Sequence, residues 1–221
     1  MSTNFFDVIG PVMIGPSSSH TAGAARIGLA VNRILKGCVK KADITLYNSF
    51  AETGKGHGTD KALIGGILGF GADDSRLPDS FEYAHEAGLE FAFKMKSNSS
   101  YHPNTVTIKA ENEERSVKVR ASSVGGGSIR LNTVDQFALD VSGDLDIILV
   151  AHYDRPGVLA DITTAMEEMS INIAEMHVSR ERKGGEAVTV LEVDNGVTDE
   201  VREKIMSLDI VEDFLFIPKI L

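Results

Sequence analysis

The carboxyl-terminal third of the chain has the pattern that most constrains the fold. Within residues 146–221, short apolar runs typical of strands alternate with amphipathic segments typical of helices. An apolar run at 147–151 leads into the turn sequence DRPG at 154–157, after which apolar residues recur every three or four positions as far as Met169. The remaining strands and helix fall at 171–180, 187–193, 198–208 and 211–217. The order βαββαβ predicts a ferredoxin-like sandwich.

The preceding part of the chain, residues 1–143, predicts an α/β domain. Two glycine-bordered histidine segments, 15–21 (GPSSSHT) and 54–60 (GKGHGTD), each lead directly into an apolar helical pattern. A polar break at 142–144 marks the expected domain boundary. The predicted strands lie at 44–50, 106–108, 117–119 and 129–134, and the second and third of them form a hairpin. We therefore expect an α+β protein with an N-terminal α/β domain, similar to substrate-binding domains, and the C-terminal sandwich at 146–221.

The acidic composition limits the partners of the chain. Asp and Glu number 32 against 22 Lys and Arg, a formal net charge of −10, and this charge disfavours nucleic acid and anionic membranes. No apolar run approaches the roughly 20 residues of a membrane-spanning helix, and the N-terminus lacks the pattern of a signal peptide. We therefore expect a globular, cytoplasmic protein without nucleic acid or membrane partners. The single cysteine, Cys38, excludes internal disulfides and a cluster held by cysteines of this chain alone.

Both histidine segments place polar groups at the expected start of a helix. A helix N-terminus offers unpaired N–H groups and positive dipole character, so it can receive a small anion such as a carboxylate. The first segment adds the hydroxyls of Ser17, Ser18, Ser19 and Thr21. Because one N-cap residue suffices, three consecutive serines indicate carboxylate binding in addition to capping. The sequence thus predicts a site for a small acidic molecule.

The segment 154–162 (DRPGVLADI) makes the C-terminal region resemble the ACT domain. This regulatory module pairs through its sheets or helices and usually binds an amino acid between subunits. The resemblance implies a homodimer through this domain. It also implies an effector site at Asp154, Gly157, Val158 and Asn172. The alternative, in which Asp154 only caps the helix and Gly157 only forms the turn, stays open.

Motifs along the N-terminal part resemble the beta chain of bacterial iron–sulfur L-serine dehydratase. They are Ile9-Gly10-Pro11, the two histidine segments, 102–105 (HPNT) and 123–128 (SVGGGS), in this order and followed by the ACT-like region. The resemblance implies that a two-chain enzyme deaminates L-serine to pyruvate and ammonia, with a four-iron four-sulfur cluster acting as a Lewis acid on the departing hydroxyl. Since Cys38 is the single cysteine, an alpha chain must supply the cluster ligands. This chain is expected to be inactive alone.

The same resemblance assigns catalytic roles to the two histidines. His57 lies between glycines that leave its ring accessible, which makes it the first candidate for a general base or acid. His20 is expected to bind substrate or to shuttle a proton, and which of the two transfers the proton stays open. The expected substrate contacts are Ser17, Ser18, Ser19, Thr21, Gly58, Thr59, His102 and Asn104. For His102 and Asn104 an ordinary turn is the alternative.

A second function class also fits these observations. A non-catalytic amino-acid sensor would combine an N-terminal binding domain, similar to the serine-binding regulatory domain of some phosphoglycerate dehydrogenases, with an ACT module. Both functions require binding of L-serine. They differ in whether pyruvate forms when an alpha chain is supplied.

Overall fold

The computed structural model describes residues 12–180, 182–194 and 196–220. The motif Ile9-Gly10-Pro11 lies outside these residues. The chain divides into two units between Ser142 and Gly143. Each unit contains one sheet with helices, so the α+β class expected from the sequence is confirmed.

The first unit contains a six-stranded sheet in the order β2-β1-β3-β4-β5-β6, in which β1 and β2 are parallel and the other pairs antiparallel. Its strands are β1 Lys41–Tyr47, β2 Glu90–Lys96, β3 Thr105–Glu111, β4 Ser116–Gly125, β5 Ser128–Val134 and β6 Phe137–Val141. Its helices are α1 Gly23–Ile34, α2 Ser49–Thr53, α3 Thr59–Ile67 and α4 Ser80–Glu86, with a π-helical turn at Ser18–Ala22 and 3-10 turns at Gly54–His57 and Leu77–Asp79.

Helices α1 and α3 touch through glycines, and this contact brings the two histidine segments together. A Cβ atom on Gly28 would collide with the carbonyl of Leu63, and one on Gly66 would collide with the carbonyl of Ala25. The Asn32 side chain also donates to the Ile67 carbonyl at 2.9 Å. Because glycine lets the two backbones approach this closely, the starts of both helices converge.

The strand predicted at 44–50 is wrong at its end. Strand β1 stops at Tyr47, because Asn48 adopts φ 50° and ψ −121°, which an extended strand does not allow. Phe50 is instead fully buried in α2. The hairpin and the strand at 129–134 are confirmed as β3, β4 and β5. No strand was predicted at 137–141, where β6 forms.

The second unit has the predicted order βαββαβ. Its elements are β7 Asp146–Tyr153, α5 Val158–Glu168, β8 Ile173–Arg180, β9 Glu186–Val193, α6 Asp199–Met206 and β10 Val211–Ile217. The antiparallel sheet has the order β10-β7-β9-β8, so that β8 forms one edge. Helices α5 and α6 pack on one hydrophobic core that includes Ile148, Val150, Ile162, Leu191 and Ile205.

A membrane span is not found in the part of the chain that the structure describes: none of its helices combines the necessary length and apolarity.

Candidate functional site

The first histidine segment folds into a π-helical turn before α1. Ser17 is the N-cap, and its Oγ accepts a hydrogen bond from the backbone N–H of His20 at 3.1 Å. Its carbonyl accepts from the N–H of Thr21 at 2.8 Å and of Ala22 at 3.4 Å. The wide π turn thus presents the His20 side chain beside the start of the helix, a local geometry that often occurs at functional sites.

His20 is surrounded by hydroxyl groups. Its Nδ1 lies 3.1 Å from Ser19 Oγ, and its Nε2 lies 3.0 Å from Thr53 Oγ1 and 3.3 Å from Ser49 Oγ. The edge of the ring also packs against Phe50, with ring centroids 5.2 Å apart. Partial burial lowers the pKa of His20 below the usual value of histidine, and the neighbouring His57 lowers it further. This shift favours the neutral form of His20.

His57 meets His20 across the gap between the two segments. Their ring centroids are 5.0 Å apart, although the residues are distant in sequence. The Nδ1 of His57 lies 3.1 Å from the Thr53 carbonyl, and the His57 carbonyl accepts from the Thr21 hydroxyl at 2.9 Å. The two histidines thus form one site, and Thr21 fixes the backbone that carries His57.

A cleft of about 200 Å³ lies beside His57. Its walls come from the first histidine segment, the glycine turn before α3 and the turn at Leu77–Asp79, and include Gly15, Thr21, Gly58, Lys61 and Pro78. His57 and Lys61 are the ionisable residues of the lining, which contains no Asp or Glu among the described residues. In a chain of net charge −10, such a lining favours an anionic ligand.

The glycine turn before α3 leaves the cleft open. Gly58 is the N-cap with φ 69°, and no heavy atom lies within 4 Å of a Cβ built on it. Thr59 is fully buried, and its Oγ1 has no hydrogen-bond partner among the described residues. A buried hydroxyl without a partner is costly, so Thr59 is a candidate contact for a water or ligand.

The predicted contacts at 102–105 lie on a loop that touches the same region. The Pro103 carbonyl accepts from the N–H of Phe50 at 3.4 Å. His102 is exposed, and its Nδ1 accepts from the N–H of Asn104 at 3.2 Å, which is a local turn bond. The Oδ1 of Asn104 and the Oγ of Ser123 are buried without partners in the described chain. Asn104 thus retains a free acceptor, whereas His102 is engaged in its own loop.

Sequence reasoning missed several residues of this site. Ser49 and Thr53 hold His20, Lys61 lines the cleft, and Ser123 packs against the first turn of α1. Asn48 ties α2 to the 98–101 loop, since its side chain accepts from the Asn98 N–H at 2.8 Å and donates to the Asn98 carbonyl at 2.9 Å. Of these residues, Thr53, Lys61 and Ser123 lie in or next to the motifs, so proximity could have identified them.

In the second unit, the polar residues of the predicted effector site are engaged by their own neighbours. Asp154 forms an ion pair with Arg180 at 2.6 Å and accepts from the N–H of Gly184 at 3.1 Å. The Gly184 N–H, followed by Arg180, lowers the pKa of Asp154. The Asn172 side chain donates to Asp194 at 2.5 Å.

The backbone at the start of α5 is open, unlike the engaged side chains of Asp154 and Asn172. Gly157 is the N-cap with φ 96°, and no heavy atom lies within 4 Å of a Cβ built on it. Val158 is 4% exposed and belongs to the core of the unit. Asp154 therefore does not cap α5, and the open part of the predicted effector site is the backbone at Gly157.

Within the described residues, no group of three or more His, Cys, Asp and Glu side chains is placed to hold a metal ion. Cys38 is exposed.

Two known families match this chain. Residues 4–87 match the serine dehydratase beta chain family, and residues 146–209 match the ACT domain family. A third similarity is to D-3-phosphoglycerate dehydrogenase of Bacillus subtilis, with 27% identity over 190 residues that cover 85% of this chain but 36% of the dehydrogenase. The chain therefore corresponds to only part of that enzyme.

Two beta chains match over nearly their whole lengths. The probable L-serine dehydratase beta chain of Bacillus subtilis is 39% identical over 203 residues, which cover 92% of both chains. The L-serine dehydratase beta chain of Peptoniphilus asaccharolyticus is 35% identical over 207 residues, which cover 92% of this chain and 93% of the relative. The protein therefore belongs to the L-serine dehydratase beta-chain family and carries a C-terminal ACT domain.

Proposed function

We propose that this chain is the beta subunit of an L-serine dehydratase, which converts L-serine to pyruvate and ammonia together with an alpha chain. One observation carries the proposal: in a member of the beta-chain family, two histidines from separate segments meet beside a small cleft whose described lining contains no carboxylate. Removal of water from serine requires a base for the Cα proton, a receptor for the carboxylate and assistance to the leaving hydroxyl. This chain supplies groups for the first two tasks.

The base in this proposal is His57. Its Nδ1 faces the Thr53 carbonyl, which can only accept a hydrogen bond, so the Nδ1 of the neutral ring carries the hydrogen. The Nε2 then bears a lone pair, as a general base requires. His20, which is neutral and held by hydroxyls at both nitrogens, acts as a hydrogen-bonding group beside it.

The carboxylate receptor is the cleft. The Lys61 ammonium donates to the Pro78 carbonyl at 2.5 Å and retains further hydrogens for a ligand. The start of α3 adds N–H groups and favourable dipole character, and Gly58 leaves the backbone there uncovered, although its own N–H donates to the Lys55 carbonyl at 3.4 Å. The hydroxyls of Ser17 and Ser19 are bonded to each other and to the His20 segment, so each would donate to a carboxylate only in place of one of these bonds.

The alpha chain, in this proposal, holds the four-iron four-sulfur cluster, because the described residues of this chain offer no ligand set. Such a cluster would supply Lewis-acid assistance to the departing hydroxyl. This division of groups between two chains also explains why the beta chain is expected to be inactive alone.

The ACT domain is proposed to pair with a second copy and to bind a small amino acid. Strand β8 is an edge strand, and its residues Met176 and Val178 are 42% and 37% exposed. An edge strand with exposed apolar side chains is a template for pairing. The open backbone at Gly157 is the proposed effector contact.

The decisive experiment combines this chain with the cluster-loaded alpha chain from the same organism under anaerobic conditions and measures pyruvate formed from L-serine. We expect pyruvate from the mixture and none from either chain alone. L-serine binding without pyruvate from a mixture whose cluster is intact would contradict the dehydratase proposal and favour an amino-acid sensor.

A further inference from the structure

We propose that Thr53 is the positioning residue of the histidine pair: its hydroxyl and its backbone carbonyl hold His20 and His57 in opposite tautomers, which leaves Nε2 of His57 as the proton acceptor. This inference rests on the proposed function, since it assigns the proton transfer within the same site. Thr53 stands at the end of α2 and directly precedes the histidine segment 54–60.

The hydroxyl of Thr53 is the nearer of the two hydroxyls at His20 Nε2, since Ser49 Oγ lies 3.3 Å from the same nitrogen, and it fixes the tautomer of His20. It donates its single hydrogen to the Ser49 carbonyl at 2.9 Å, so at 3.0 Å from His20 Nε2 it must accept. The Nε2 of His20 therefore carries the hydrogen, and the Nδ1 of the neutral ring accepts from the Ser19 hydroxyl at 3.1 Å. Ser17 Oγ, 3.4 Å from Ser19 Oγ, then donates to Ser19 while it accepts the His20 N–H. Each hydroxyl in this chain of hydrogen bonds has one consistent direction.

The carbonyl of the same residue determines the tautomer of His57. It lies 3.1 Å from His57 Nδ1 and cannot donate, so this nitrogen carries the hydrogen. The Thr21 hydroxyl holds the carbonyl of His57 from the other side at 2.9 Å. Of the two rings, His57 is thus the one whose Nε2 has no hydrogen-bond partner among the described residues, and His57 lines the cleft.

This arrangement makes a prediction that separates Thr53 from a merely structural residue. Replacing Thr53 by Val removes the hydroxyl but keeps the carbonyl and the shape of the side chain. The change should therefore release the tautomer of His20 while that of His57 stays fixed. Thr53→Ser, which retains the hydroxyl, is the matched control.

The first test uses the full chain labelled with ¹⁵N and long-range ¹H–¹⁵N spectra of the imidazoles at pH 7.5. In the parent chain, the hydrogen is expected on Nε2 of His20 and on Nδ1 of His57. Thr53→Val should give a mixture of tautomers at His20 and no change at His57, and Thr53→Ser should keep the parent pattern. An unchanged His20 in Thr53→Val, or a hydrogen on Nε2 of the neutral His57 ring in the parent, would overturn the proposal.

The second test measures turnover of the reconstituted two-chain enzyme. Because a net hydrogen bond is worth about 1 kcal/mol, we expect Thr53→Val to lower kcat about fivefold with KM within about twofold, and Thr53→Ser to restore it. A KM effect without a kcat effect would assign Thr53 to substrate binding and refute positioning. Should the parent enzyme form no pyruvate, the proposed function fails, whereas the NMR test still decides the role of Thr53.

Discussion

The glycine turns before α3 and α5 share one backbone geometry but present different chemistry. Gly58 and Gly157 are both N-caps with positive φ, and both leave open space where a side chain would stand. Beside Gly58, His57 meets groups from distant segments, and its Nε2 has no hydrogen-bond partner among the described residues. Beside Gly157, Asp154 is engaged by the hairpin that joins β8 and β9. The same local turn can therefore carry a reactive site or a structural one, and tertiary partners decide between the two.

The largest expected effect tests the reactive turn. In the reconstituted enzyme, His57→Ala should lower turnover by about a hundredfold or more, because proton transfer by a positioned base contributes this much. His85→Ala is the control, since His85 is an exposed histidine at the end of α4. Steady-state pyruvate formation measures both. Near-normal turnover of His57→Ala would show that the turn at Gly58 is no more reactive than the turn at Gly157.

The second largest expected effect concerns the glycine contact between α1 and α3, which brings the two histidine segments together. Gly66→Ala places a methyl group against the backbone of Ala25 and Leu29, which cannot yield as a side chain could. We expect the free energy of unfolding to fall by about 3 kcal/mol, as for severe overpacking. Urea unfolding of the full chain, followed by circular dichroism, measures the loss.

The control for this change is Gly56→Ala, where no heavy atom lies within 4 Å of the added Cβ. Its free energy of unfolding should stay within about 0.5 kcal/mol of the parent chain. Equal stability of the two variants would show that the glycine contact does not hold α1 and α3 together.

The smallest expected effect concerns the turn at Gly157, beside which Asp154 is engaged by the hairpin that joins β8 and β9. Since the Gly184 N–H and Arg180 lower the pKa of Asp154, Arg180→Gln should raise that pKa toward its usual value without reaching it. A carboxyl with a lowered pKa stabilises the folded state above its usual pKa, and this contribution is lost as the pH falls through the lowered value. A carboxyl ¹³C titration of Asp154 measures the shift, and Arg202→Gln is a charge-matched control. An unshifted Asp154 would mean that the ion pair does not engage the carboxylate in solution.

Much of the fold follows from pattern because the relevant signals are local. The order of the second unit was predictable, since each strand and helix there has its own periodicity and turn residues. The error at Phe50 has a specific cause: alternation continues past Tyr47, but the left-handed φ of Asn48 turns the chain into α2. That conformation is held by side-chain bonds to residues 97–101, which no local pattern reveals.

The site was predictable in part for the same reason. Glycines around His57 and serines before His20 mark helix starts, and these signals lie within a few residues of each other. Thr53 directly precedes the second histidine segment, but its role depends on where α2 ends relative to His20, which the local pattern does not show. Lys61 becomes part of the cleft only through the turn that carries Pro78.

By itself, the sequence determined the strand and helix order of the ACT domain, the position of the two histidine segments at helix starts and the lack of cysteines for a cluster. These properties depend on residues close in the chain or on composition. Only the tertiary structure decided that His20 and His57 share one site, that Thr53 contacts both rings and that Asp154 is engaged by a hairpin. The physical reason is that hydrogen-bond direction and ring distance depend on segments far apart in sequence, which the glycine contact between α1 and α3 brings together.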